Sequence, residues 1–354
     1  MGKINDEMKS VLFHFNLHSH PAKITRWGEG HIHETYLVET ADHNPDYILQ
    51  KINGNVFKNI RGMMQNIDAV CRHFKQKLTS MSGHDPEKEA LTLISTKDGK
   101  SWFEDANGDC WRVYVYIPDT VIYQNITDPQ IAFEAGRAIS FFQSMLSDLK
   151  VPLIDTIPDF HNIDFRISQY YQAKGSDPEM RLPYILPEIR FVEDRFQDMR
   201  SYLQRLKEKA VLRATHNDTK VNNVLFDRNN KALCLIDLDT VMPGYVHFDY
   251  GDALRTMANT ALEDERDLDK VHFNLPVYEA FTRGYLGEAK GFLNEKELAL
   301  LPYAPIYLTF IIGLRFLTDY LNGDIYFRIH YPEHNLVRAR VQFKLVAEIE
   351  QAVF

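Results

Sequence analysis

The chain has 354 residues, enough for a large core and for two domains on the usual scale of roughly 100–200 residues each. Its 45% hydrophobic and 25% charged residues are ordinary for a globular protein, and a net charge of −9 excludes a sequence-independent grip on nucleic acid, which needs clustered Lys and Arg. The three cysteines, Cys71, Cys110 and Cys234, are widely spaced, fit neither a disulfide framework nor a zinc pattern, and suit a reducing compartment.

The opening MGKINDEMKSVLFHF meets charge too early for the apolar core of a signal peptide. From about 22 to 52 there are two β-like pieces, the second being TYLVET, then the polar turn ADHNPD and then YILQKI. Residues 57–78 carry Phe57, Ile60, Met64, Ile67, Val70, Cys71 and Phe74 at near-helical spacing. TLIST and SWFED read as short strands, and CWRVYVYIPD (110–119) alternates before meeting proline, as a strand that ends in a connector does. Beyond 128 long helical patterns dominate, at 129–148, 187–208, 276–287, 294–321 and 334–352, broken by the β pieces VLRATHND, NNVLFD and ALCLIDLD. The longest apolar run, IYLTFIIGL, is too short to span a bilayer and ends at Arg315. The expectation is a cytoplasmic α+β protein of two lobes: a small β-rich N-lobe over 1–117 and a larger, mainly helical C-lobe over 118–354. No membrane, nucleic-acid or obligate protein partner is implied.

The densest polar segment is THNDTKVNNVLFD (215–227). Asn and Asp are common in turns, and a polar turn entering a strand is its plainest reading. The second reading comes from LCLIDLDTVMPG (233–244), where a short apolar strand delivers Asp237 fourteen residues after Asn223. His216, Asp218, Lys220 and Asn223, then a hairpin and Asp237, are the layout used for phosphoryl transfer in kinases. One carboxylate takes the proton of the attacking hydroxyl, a lysine neutralises the phosphate in transit, and an amide and a second carboxylate hold magnesium, which prefers hard oxygen ligands.

These segments, with FDYGDALR at 248–255, resemble the aminoglycoside phosphotransferase and choline kinase superfamily, a family of protein-kinase-like fold. GEGHIHETYLV (28–38), TALEDERDLDKVHF (260–273), GLRFLTDYLNGDIYF (313–327) and YPEHNLVRARVQFKLV (331–346) extend the resemblance along the chain, toward the members that phosphorylate the 1-hydroxyl of N-acetylhexosamines. The resemblance implies ATP and Mg2+ as cofactors, Asp218 as catalytic base with Lys220 beside it, and Asn223 and Asp237 as metal ligands. It implies a small sugar as acceptor, contacted by Arg315 and Tyr326 next to Asp218. Homoserine, choline, an aminoglycoside or another sugar are the alternative acceptors, and a nucleotide-binding pseudokinase is the non-enzyme alternative.

On the nucleotide side, Gly30 with Gly28 would let backbone N–H groups approach phosphate oxygens, with His33 or Thr35 as added donors. A plain hairpin loop is the other reading of that G-x-G. The strand position that usually carries a lysine falls on Gln50, with Lys51 next to it on the opposite face, and either residue could contact the phosphates. The helix 57–78 offers no Glu to pair with. Tyr116 and Ile117 lie in the connector that would read the adenine edge, over a floor of Leu225 and Ile236. His216 reads as a brace for the loop, Asp249 and Asp252 as acceptors for backbone N–H groups, and Asp239 as a supporting neighbour of Asp237. Arg315 and Asp319, four apart on a helix, could instead form a simple ion pair. The acidic run LEDERDLD (262–269) reads as a solvated face.

Overall fold

Period-two alternation in the first third of the chain produces one five-stranded antiparallel sheet in the computed structural model, which describes residues 2–28, 32–42 and 45–353. Its strands are β1 (Pro21–Arg26), β2 (Glu34–Thr40), β3 (Tyr47–Ile52), β4 (Phe103–Glu104) and β5 (Cys110–Val115), in the order β1-β2-β3-β5-β4. One face places Val38, Leu49, Trp111 and Val113 against Met8, Val11 and Leu12 of the helix Gly2–Leu12. The opposite face looks toward the helix Ile60–Thr79, whose buried Met63, Met64 and Ile67 join a core with Ile52, Cys110 and Tyr114.

Two segments expected as strands are weaker than their composition implies. SWFED supplies the two residues of β4, and TLIST makes only isolated bridges, Leu93 to Tyr114 and Phe15 to Thr96.

The rest is mainly helical, with β6 (Thr120–Val121), β7 (Arg213–Thr215), β8 (Val224–Asp227), β9 (Ala232–Leu235) and β10 (Met242–Gly244) inserted as short pieces. Strands β6, β8 and β9 form one small sheet, and β7 pairs with β10. The helix Pro129–Leu146 agrees with its periodicity, but the pattern read at 187–208 divides into Leu186–Glu193 and Phe196–Lys209. The pattern read at 294–321 is likewise Glu295–Leu298, a 3-10 turn and Ala304–Leu321, with Pro302 and Pro305 at the breaks. By length and composition Glu295–Leu321 is long and apolar enough to cross a membrane, unlike the shorter run read from the sequence, yet most of it is buried inside the fold as a core helix is. All three cysteines are free and buried, and burial pushes the Cys71 thiol up to about 12 and that of Cys110 up to about 11.

Asn66, 2% exposed on the helix Ile60–Thr79, ties that helix to segments far along the chain. Its amide donates to the carbonyls of Ile154 (2.8 Å) and Val241 (2.9 Å), and its oxygen accepts from the Ile154 N–H at 2.8 Å. Asn66→Leu strands all three backbone groups. We expect a loss of about 2–4 kcal/mol in denaturant unfolding, from a cost of about 1–3 kcal/mol for each buried group left unpaired, offset in part by the apolar replacement.

Candidate active site

The pairing of β7 with β10 fixes where the segment after Thr215 begins. Met242 stands opposite Thr215 and Gly244 opposite Arg213; a Cβ on Gly244 would lie 2.2 Å from Thr215 Oγ1 and 2.9 Å from Asn217 Oδ1, so a close approach requires glycine. Asn217 takes a positive φ of 64°, which Asn tolerates better than most residues. The fully buried Asp249 holds the turn: its carboxylate accepts the N–H groups of His216 (3.0 Å) and Asn217 (2.7 Å), and the Gln143 amide at 2.8 Å. His216 donates from Nε2 to the Ile236 carbonyl at 2.9 Å and accepts the Asp218 N–H at Nδ1, 3.3 Å away, a pattern that places its proton on Nε2. His216 thus bridges the segment to the β9 hairpin.

The side chains predicted from the motif converge. Lys220 Nζ lies 2.8 Å from Asp218 Oδ2, and the Asn223 amide donates to the Asp218 carbonyl at 2.8 Å and to Oδ2 at 3.1 Å. Burial alone would push the Asp218 carboxyl up, but the adjacent Lys220 ammonium outweighs it and holds the group below the usual carboxylate range. Lys220 is held above its ordinary value in turn, because Asp218 and Asp237 outweigh its own desolvation. Asp237 follows β9 at φ 63°, a left-handed position uncommon for a residue with a Cβ. Its carboxyl is raised to about 7, first by burial and then by the negative charge of Asp239, with Lys220 offsetting part of the effect. Among the described residues its carboxylate has no hydrogen-bond or ion-pair partner.

Asp239 differs sharply from Asp237. It is 2% exposed and receives Arg112 through both oxygens, Nη1 at Oδ1 and Nη2 at Oδ2 (2.9 Å), with His33 Nε2 at 2.5 Å from Oδ2. Desolvation works against its charge, but Arg112 and His33 hold the carboxyl far below the usual range. Strand register explains the arrangement. Thr35, Gln50 and Arg112 are directly opposed on β2, β3 and β5, and Gln50 donates to Thr35 Oγ1 (3.1 Å) while accepting Arg112 Nε (2.9 Å). Lys51, one residue on, points to the other face, where it pairs with Asp109 at 2.5 Å and lies over the Trp111 ring. The structure therefore keeps Lys51 apart from this group and places Gln50 within it. Gly30 lies outside the described residues.

Ile117 and Leu225 are buried in one small cluster with Cys234, against which Ile236 packs, and Tyr116 sets its ring edge-on to Trp27 at 5.7 Å. Arg315 makes no ion pair with Asp319, whose carboxylate instead accepts the Tyr326 (2.8 Å) and Phe327 (2.9 Å) N–H groups and the Asn335 amide (2.9 Å). The Arg315 guanidinium stands 5.5, 5.8 and 5.4 Å from the rings of Phe160, Tyr326 and Phe327, while Tyr326 itself is 65% exposed. Asp252 pairs with Arg255 rather than with the loop.

Sequence reading passed over Arg112, His161 and Arg166. The signal for Arg112 was present: an arginine inside CWRVYVY, on an alternating strand, is a charge directed into a core. His161 is buried, with Nε2 3.2 Å from the Asn217 carbonyl and Nδ1 without a partner. Arg166 donates to the Phe160 carbonyl at 2.6 Å; burial and the nearby Arg315 charge pull it down to about 9. Neither Arg166 nor Arg315 pairs with a carboxylate among the described residues.

The raised Asp237 carboxyl has a measurable sign. It holds its proton more tightly in the folded chain than in the unfolded one, so folded-state stability falls as pH rises from about 4 to about 7. Asp237→Asn should therefore raise the melting temperature of the ligand-free protein at pH 8 and leave it nearly unchanged at pH 4, as differential scanning fluorimetry would record.

Residues 23–285 match the phosphotransferase enzyme family known as APH. The fold is similar to that of a microcompartment-associated aminopropanol kinase, at 14% identity and a TM-score of 0.65 over 98% of this chain and 97% of that one. A spectinomycin phosphotransferase solved with ADP and spectinomycin aligns at 14% identity and TM-score 0.57, over 98% of each chain. The ethanolamine kinase of Plasmodium vivax aligns at 10% identity and TM-score 0.58, over 90% of this chain and 82% of that one. With the match spanning the sheet, the Asp218 segment and the Asp237 hairpin, the chain belongs to the APH phosphotransferase enzyme family and has its kinase-like fold.

Proposed function

We propose that this small-molecule phosphotransferase transfers the γ-phosphate of ATP to the anomeric 1-hydroxyl of an N-acetylhexosamine, N-acetylglucosamine or N-acetylgalactosamine, in the cytoplasm. The acceptor wall carries the proposal. Arg315 stands among the rings of Phe160, Tyr326 and Phe327, Arg166 donates to the Phe160 carbonyl and to Gln169, and neither has a carboxylate partner among the described residues. Such a wall suits an uncharged, oxygen-rich ring, whose hydroxyl and amide oxygens accept hydrogen bonds and whose apolar face lies on aromatic rings. It repels an ammonium group, the feature that aminopropanol and ethanolamine, the substrates named for two structural relatives, both carry. An alcohol that bears a carboxylate and no ammonium group is the second reading that the same two guanidiniums favour.

In this proposal residues 1–117 form the nucleotide lobe and 118–354 the catalytic lobe. Asp218, held as a carboxylate by Lys220, accepts the proton of the attacking hydroxyl. Lys220, beside Asp218, would offset the charge of the phosphoryl group in transit. Ile117, Leu225 and Ile236 give the adenine an apolar floor, and Tyr116 flanks it. Thr35 borders the phosphate side, with the neutral Gln50 committed to Thr35 and Arg112, and His33 committed to Asp239 and Asn53. Arg315 and Tyr326 orient the sugar.

The donor set fits magnesium. Asp237 is a carboxylate with no partner of its own among the described residues, raised first by burial and then by neighbouring negative charge that a cation would relieve. Asn223 commits its N–H group to Asp218, which leaves its carbonyl oxygen to ligate. Two hard oxygen donors, with the remaining positions for water and phosphate, are the usual protein share for this ion. When bound, the metal supplies charge neutralisation between the nucleotide phosphates.

The test is purified protein with Mg-ATP and a panel of free acceptors, read by phosphorus NMR. A sugar 1-phosphate from an N-acetylhexosamine is the expected product. Asp218→Asn should lower turnover by about 10³-fold while leaving ATP affinity within a few-fold. A phosphate ester formed only from a carboxylate-bearing alcohol would replace the sugar reading with the second. An ester formed only from an amino alcohol would overturn both.

A further inference from the structure

We infer that Arg112 is a positioning residue for the metal loop, acting on Asp237 through Asp239. The inference rests on the kinase reading above and extends it to the part of the cleft where that reading lacks a strand cation. Arg112 is 1% exposed, and three of its donor groups are committed: Nε to Gln50, Nη1 and Nη2 to the two oxygens of Asp239. Gln50 is itself fixed by Thr35, so a row of side chains across β2, β3 and β5 aims the guanidinium at one place. His33 closes the other side of Asp239, and its Nδ1 accepts the Asn53 N–H at 3.0 Å.

The consequence lies two residues upstream. Leu238–Thr240 form a single 3-10 turn, and Asp237 enters it in a left-handed conformation. With Asp239 held by Arg112, Asp239 cannot turn toward the metal side, and the short turn leaves Asp237 one presentation. The Thr240 hydroxyl donates to the His216 carbonyl at 2.6 Å, so the same turn is anchored to the Asp218 segment from its far end. A lysine at position 50 would contact the nucleotide directly. A glutamine there instead orients an arginine that shapes the ligand loop, so the charge serves the metal rather than the phosphates.

A buried arginine that merely stabilised the fold would have the same contacts, so the test must separate the two roles. Arg112→Met, Arg112→Lys, Asp239→Asn and the double variant Arg112→Met with Asp239→Asn are compared with wild type. Three quantities are measured: the melting temperature without ligands, the Mg2+ concentration that half-saturates ATP binding by titration calorimetry, and kcat with KM for ATP and acceptor.

Positioning predicts that Arg112→Met and Arg112→Lys raise the half-saturating Mg2+ about 10- to 100-fold, with kcat lowered and acceptor KM within threefold. Lysine fails because a single ammonium cannot grip both carboxylate oxygens. In the double variant the melting temperature recovers, since no buried charge is left alone, while the Mg2+ requirement stays raised. A Mg2+ requirement that returns to wild type together with the melting temperature overturns the inference, as does one unmoved in Arg112→Met. If wild type binds Mg-ATP but phosphorylates no acceptor, the kinase reading fails, and the Mg2+ titration still decides the role of Arg112. If wild type binds no Mg-ATP, both fall.

Discussion

Asp218 and Asp239 lie close enough to Asp237 to raise its proton affinity beyond what burial does, and among the described residues Lys220 and Arg112 pair with Asp218 and Asp239 but not with Asp237. That imbalance organises the site. Lys220 holds Asp218, and Arg112 with His33 holds Asp239. Asp237 keeps a carboxyl near neutrality with no partner among the described residues. A chain that buries like charges in this way either protonates one of them or waits for a cation. The arrangement is costly to an isolated protein and useful to one that recruits a divalent ion with its nucleotide.

The supporting structure exists to keep that imbalance in one geometry. Asp249 spends both oxygens on backbone N–H groups of the turn at His216 and Asn217, and Gln143 and the Tyr285 hydroxyl secure it from behind. Gly244 lets β10 approach the turn at a distance no Cβ allows. The left-handed residues Asn217 and Asp237 sit on the two hairpin arms that these contacts join. Backbone strain of order 1–3 kcal/mol per such residue persists only where the surroundings over-determine it, and here they do.

What was legible in the sequence followed the range of the interactions. Asp218, Lys220, Asn223 and Asp237 lie within a short span on one hairpin, so their spacing alone carried their convergence. Gln50 and Lys51 were separable by strand alternation, because one residue of shift moves a side chain to the other face. The partner of Asp239 was hidden by distance, since Arg112 is 127 positions away and is brought near only by the packing of sheet against hairpin. The helix Val246–Met257 was equally hard to see. Nearly all of it is buried, so FDYGDALR has no polar face to set a period. The sugar contacts proposed for Arg315 and Tyr326 leave only an indirect trace in the sequence, a charge inside an apolar helix, and an ion pair with Asp319 is an equally open reading of it until the fold gives Asp319 other partners.

The three buried thiols carry a practical consequence. With Cys71, Cys110 and Cys234 all free, shielded and pushed toward the unreactive thiol form, the folded protein presents almost nothing to an alkylating reagent. Labelling must therefore wait for local or global opening, and Cys71 and Cys234, which line one cavity, report the contact of helix with hairpin while Cys110 reports the sheet. Cys110 closes one end of β5, Cys71 lies on the helix facing the sheet, and Cys234 shares a cluster with Ile117 and Leu225. The chain thus contains its own set of opening probes, spaced across both the sheet and the hairpin, without a single engineered substitution.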